Sequence, residues 1–186
     1  MESLMDNIVS YLEYLNNRQE LNVTVHFSDV TVSRIPERCK SREGLDVFAR
    51  ELTQLQARLT PLGQRVCFHP VTADFTAVPG MNAVEYLLEK LPWLEICLDL
   101  FHLDKNCDDM PRFILRYAGR IPMVHFKDHR NGVLVPAGQG QVRWEGVVEA
   151  CRDAEVGYGL AEQETWDSDP YDCLGQALAW LRKEAL

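Results

Sequence analysis

The chain has 186 residues, 46% of them hydrophobic and 25% charged, with 11 Gly and 9 Pro. This composition excludes a collagen-like, low-complexity or wholly disordered chain, and the length suits one domain. With 19 Lys plus Arg against 28 Asp plus Glu, the net charge is −9. That balance argues against duplex nucleic acid or an anionic membrane surface as a partner.

The N-terminus carries acids at Glu2 and Asp6, no basic cluster and no apolar h-region, so it does not read as a secretory signal. No stretch approaches the roughly 18 apolar residues of a membrane span, and a cytoplasmic location is expected. The first helical pattern covers residues 4–15, with Ile8, Leu12 and Leu15 on one face. A β-branched run at 23–27 reads as a strand bearing His26 near its end. Residues 28–43 contain Pro36 and mixed charges and are expected to form a loop. A second helix is expected over 44–59, where Leu45, Phe48, Ala49, Leu52 and Leu55 recur at helical spacing. Strands at 65–68, 94–98, 122–126 and 157–161 then alternate with helices at 83–91, 110–117, 144–154 and 171–181. Gly63 suits a helix end and Pro170 a helix start.

This is one helix followed by five strand–helix units. Strands too apolar for a half-exposed sheet, alternating with helices, predict an α/β fold with a parallel sheet. No linker interrupts the pattern, so a single domain is expected. An open doubly wound sheet is the alternative, but no Gly-rich phosphate loop follows the first strand. The six cysteines are widely spaced and form no CxxC pair, so free thiols are expected rather than a structural zinc site. Cys67 and Cys97 lie inside apolar runs, where a thiol behaves as a small buried hydrophobe.

The chemistry gathers at the strand ends. His69 closes the second strand, with Asp74 close behind, and Asp99 closes the third, with His102 three residues on. His125 closes the fourth, followed by Lys127 and Asp128, and Glu162 closes the fifth, with Glu164 two further. In parallel α/β folds the C-terminal rim of the strands is where sites are built. Taken singly, an Asp or Glu here could cap the next helix, a His could be a hydrogen-bonded structural residue, and Lys127 could pair with Asp128. Taken together, His, Asp and Glu form a ligand set for a divalent ion, Mn, Mg, Co or Zn. Such an ion would polarise a carbonyl or hold an enediolate while a carboxylate moves the proton.

The segments LEICLDLFH (94–102) and RFILRYAGRIPMVHFKD (112–128), with VPAGQGQVRW (135–144) and LAEQE (160–164), resemble the sugar phosphate isomerase/epimerase family. That family has a xylose isomerase-like TIM barrel. The resemblance runs from about Val23 to the C-terminus and rests on HFKD, GQG and AEQE in this order and spacing. It implies a divalent metal held by Asp99, His125, Glu162 and a fourth ligand from the second strand, Asp74 or His69, with Glu162 and Asp74 as the proton-transferring carboxylates. It also implies that His69, His102 and Lys127 bind a small sugar or sugar phosphate, and that Gly138 and Gly140 let the backbone approach it. Where family members show His-x-His-x-x-Glu-Phe, this chain reads HPVTADF, with Val71 for the second His and Asp74 for the Glu. The family's related abasic-site endonucleases need a basic surface and further histidines, which the −9 charge and five histidines do not supply.

The five units match the fourth to eighth strands of such a barrel, so residues 1–186 are expected to form a partial TIM barrel lacking its first three strands. A complete eight-stranded barrel typically takes roughly 250 residues. Five parallel strands cannot close, so the open edges are expected to be covered by association, as in a homo-oligomer. Two readings result: a metal-dependent sugar isomerase or epimerase, or a catalytically impaired barrel remnant that binds a sugar or a partner chain.

Overall fold

The computed structural model describes residues 29–185. The helix expected at 4–15, the strand at 23–27 and His26 lie outside them. The first described strand is β1 (Asp29–Ser33), inside the stretch expected to be a loop. Its alternation explains the difference, since Val30 and Val32 are buried while Thr31 between them is exposed. Period 2 with β-branched residues suits a strand, and apart from Asp29 at its start the charges that argued for a loop, with Pro36, follow it.

Helix α1 (Arg42–Leu59) follows, capped by Ser41, whose hydroxyl accepts from the Gly44 N–H at 3.0 Å. Its stripe of Leu45, Phe48, Leu52, Leu55 and Leu59 is fully buried against the sheet. At 25–30 cal/mol per Å², each such side chain contributes about 1.5–3 kcal/mol. Gly44 is required by a close approach, because a Cβ there would meet the Cys39 backbone at 2.7 Å.

The rest of the chain repeats the theme. Strand β2 (Arg65–His69) leads to a helical turn, α2 (Thr72–Phe75), and to α3 (Ala83–Lys90). Strand β3 (Glu95–Asp99) runs directly into α4 (Leu100–Asp104) and then α5 (Met110–Arg116). Strand β4 (Met123–Phe126) is followed by a hairpin of β5 (Asp128–Arg130) and β6 (Val133–Val135), then by α6 (Val147–Asp153). Strand β7 (Tyr158–Ala161) and α7 (Pro170–Ala185) complete it.

The main sheet has the order β1-β2-β3-β4-β7, and every pair in it is parallel. Its register places Ser33 beside His69, Asp99 beside His125, and Phe126 beside Ala161. The strand ends are thereby aligned along one rim. β2, β3 and β4 carry near-continuous apolar runs, as a strand covered on both faces requires. None of the described helices is long and apolar enough to cross a membrane.

Candidate active site at the strand ends

The rim brings together most of the residues that the sequence singles out. A cavity of about 640 Å³ opens there, lined among others by His69, Thr72, His102, Lys127, Glu162 and Glu164. Asp99 lies beneath it, 1% exposed. As the N-cap of α4, its Oδ1 accepts from the Phe101 N–H at 2.9 Å and the His102 N–H at 3.4 Å. Helix capping and the site thus share one side chain, because only one carboxylate oxygen is needed for the cap. The other, Oδ2, faces Lys127 Nζ at 3.4 Å and His102 Nε2 at 3.6 Å.

Lys127 is itself buried. Its ammonium also meets Glu162 Oε1 at 3.4 Å and the Glu164 carboxylate. Burial opposes its charge, but Glu164, Asp99 and Glu162 outweigh that and raise its pKa. His102 is held on its far side by Thr72, with Nδ1 and the hydroxyl 2.8 Å apart. Burial pushes its pKa down against the pull of Asp99, which favours a neutral ring able to hydrogen-bond a substrate oxygen.

His125 stands between two partners. Its Nε2 is 3.3 Å from Cys97 Sγ, and its Nδ1 is in ion-pair contact with Glu162 Oε2. Burial lowers its pKa, but the contacts with Cys97 and Glu162 outweigh this and bring it up to about 10. His125 in turn holds Glu162 down to about 2 against the opposing effect of burial, and Lys127 adds to it. His69 stacks near both rings, its centroid 5.2 Å from that of His125 and 6.4 Å from that of His102. Its pKa is lowered by burial first and by His125 second.

One donor atom each from Asp99, His125 and Glu162 falls within 4.8 Å of the others. His125 Nδ1 and Glu162 Oε2 are buried and have no polar partner beyond their ion-pair contact with one another. Asp99, His125 and Glu162 converge from three strand ends, and the imidazole–carboxylate set fits a divalent ion.

Asp74 is not brought into this group. Its Oδ1 accepts from the Ile35 N–H at 2.9 Å and its Oδ2 from the Val71 N–H at 2.8 Å, while its own N–H donates to the Val71 carbonyl. Fully occupied by backbone and 2% exposed, it clasps the loop after β1 to the turn after β2. It does not line the cavity, whereas Val71 does. One of its partners, the Val71 N–H, is supplied by its own helical turn, and the other, the Ile35 N–H, comes from the loop after β1.

Asp128 does not pair with Lys127, as its position had allowed. It is 0% exposed and accepts five hydrogen bonds. These come from the N–H groups of His129, Gly138, Gly140 and Val142 at 2.7–3.1 Å and from Trp144 Nε1 at 2.9 Å. Gly138 and Gly140 therefore serve this carboxylate and its neighbours rather than the cavity. A Cβ at Gly140 would sit 2.1 Å from Asp128 Oδ1, and one at Gly138 2.4 Å from the Trp180 ring. The residue that sequence reasoning missed is Cys97. Its signal was its place two residues before Asp99, hence on the same face of β3.

Comparisons with known proteins agree with this fold. The chain shares its fold with a sugar phosphate isomerase/epimerase from Parabacteroides distasonis ATCC 8503, with TM-score 0.75, 12% identity, and coverage of 98% of this chain and 67% of that one. A xylose isomerase domain protein from Alicyclobacillus acidocaldarius matches with TM-score 0.73 and 16% identity over 99% of this chain and 73% of that one. The 3-keto-D-glucoside 4-epimerase of E. coli matches with TM-score 0.71 and 18% identity over 96% and 70%. No curated protein matches the sequence. The family model of the xylose isomerase-like TIM barrel matches residues 5–184. With five parallel strands and their polar ends aligned on one rim, the chain belongs to the xylose isomerase-like TIM barrel family.

Proposed function

We propose that the chain is a divalent-metal-dependent sugar isomerase or epimerase that moves a proton next to a carbonyl. The observation that carries this reading is the convergence of one donor atom each from Asp99, His125 and Glu162 within 4.8 Å of one another. Asp99, His125 and Glu162 would hold the ion, which supplies positive charge to polarise the substrate carbonyl and stabilise an enediolate. Glu162 is the proton carrier: half-buried, at the cavity wall, with its carboxylate kept ionised by His125 and Lys127. His102 and Lys127 orient substrate oxygens, and His69 closes the wall beside β1. A small sugar or sugar phosphate suits a cavity of this size and polarity.

With Asp74 bonded to backbone, the carboxylates lining the cavity, Glu162 and Glu164, both come from the end of β7. One base can take a proton from one carbon and return it to the adjacent carbon, whereas inversion at a single carbon needs a donor on the opposite face. The geometry therefore favours isomerisation over epimerisation. The same occupation of Asp74 supports the second reading, a catalytically impaired partial barrel that binds a sugar or partner chain.

Incubation of the chain with aldoses and ketoses and Mn²⁺ in D₂O, followed by NMR, separates the two. The expected result is deuterium at the carbon beside the carbonyl, reduced roughly 10²–10⁴-fold in Glu162→Gln. Exchange with no member of the panel removes the catalytic reading. Metal analysis of both proteins should show less bound ion in Glu162→Gln, and no metal in either removes the metalloenzyme.

A further inference from the structure

We propose that His69, Cys97 and His125 form a second, softer metal site, suited to Zn²⁺, on the face of the His125 ring away from Glu162. Three neighbouring strands supply the donors. Cys97 lies two residues before Asp99 on β3, and His125 ends β4 beside Asp99. His69 ends β2, whose register with β3 places Phe68 beside Ile96 and so carries His69 alongside Cys97. Their donor atoms all lie within 4.8 Å of one another. The sheet fixes these separations, so little rearrangement is needed to close on an ion.

Two observations point to a ligand rather than to packing. The Cys97 Sγ to His125 Nε2 distance is 3.3 Å. In tetrahedral zinc, with Zn–S near 2.3 Å and Zn–N near 2.0–2.1 Å, the S···N edge is roughly 3.5 Å. In addition, His69 Nδ1 is buried with no hydrogen-bond partner. The ring that links the two candidate sites faces each with a different nitrogen, Nε2 toward Cys97 and Nδ1 toward Glu162.

The resident charge differs as well. Lys127 already sets an ammonium between Asp99 and Glu162, whereas among the described residues no lysine is paired with His69 or Cys97. Cys97 is fully covered, while His69 lines the cavity, so an ion would reach the sulfur from the cavity side. On binding, the Cys97 thiol and the His125 Nε2–H each lose a proton to solvent, leaving a thiolate and a ring that keeps its Nδ1–H toward Glu162, and the fourth position is left for water. A thiolate with two imidazoles selects Zn²⁺ or Co²⁺ over Mg²⁺ and Mn²⁺. This site shares His125 with the reading above and does not depend on the activity proposed there.

The test uses the full chain stripped of metal by chelation and titrated with Co²⁺. The expected result is a thiolate-to-cobalt charge-transfer band in the near ultraviolet that Zn²⁺ abolishes. Cys97→Ser should remove the band and weaken Co²⁺ binding at least about tenfold, since even partners of metal ligands contribute that much. His69→Gln should weaken binding while keeping a band, and Glu162→Gln should leave the band in place, with circular dichroism confirming the fold of each variant. Cobalt binding without a band, or a band that persists in Cys97→Ser, overturns the proposal. An intact band with no proton exchange would remove the isomerase reading and leave this site standing. Proton exchange without a band would remove this site alone.

Discussion

Three aspartates in this chain end near the same rim, and each is defined by where its oxygens go. Asp99 gives one oxygen to the cap of α4 and keeps the other for the site. Asp128 gives both to the loop at 136–144. Asp74 gives both to the N–H groups of Ile35 and Val71. Asp74→Ala should therefore act on stability and not on metal. One buried and one part-buried N–H lose their acceptor at about 1–3 kcal/mol each, so a loss of about 2–6 kcal/mol in urea unfolding is expected. Metal affinity measured on the folded variant should be unchanged. Lost metal with unchanged stability would return Asp74 to the site.

At the level of elements, the hairpin β5–β6 and the loop behind it form a unit that the main sheet does not explain. Asn131 and Gly132 form its turn with φ of 52° and 84°, the left-handed pair that a two-residue hairpin needs. That dipeptide was a readable hairpin signal between two short runs. What could not be read was the use of Asp128 as the anchor of the loop, because its five donors come from residues 1 to 16 positions away. Asp128→Ala should leave the strands intact and release this loop, at a cost of about 3–5 kcal/mol for removing a buried, multiply bonded charge. Hydrogen exchange should show the amides of Gly138, Gly140 and Val142 losing protection ahead of those of β3 and β4. Equal protection in the variant would show that other contacts hold the loop.

Across the whole molecule, β1 and β7 border the five-stranded sheet among the described residues. β7 exposes Tyr158 and Leu160, at 45% and 38%. A parallel edge with exposed apolar side chains invites pairing, which is the physical reason for proposing that the chain associates. Light scattering should give a mass above that of one 21.3 kDa chain, rising with concentration. A single-chain mass throughout would overturn the proposal.

The sequence by itself determined the alternation of strands and helices from residue 65 onward, the α/β class, and the polar character of the strand ends. These depend on local periodicity and on residue type, which a linear reading contains. It also carried the family resemblance through HFKD, GQG and AEQE. It read residues 28–43 as a loop and so missed the strand at Asp29–Ser33, because two valines in a polar stretch are a weak signal until a neighbouring strand covers them. Tertiary structure alone decided which polar residues meet. It turned Asp74 and Asp128 toward backbone, separated Lys127 from Asp128, and set Cys97 against His125. Those outcomes depend on hydrogen-bond partners tens of residues away and on the register between parallel strands, and neither is written in any one segment of the chain.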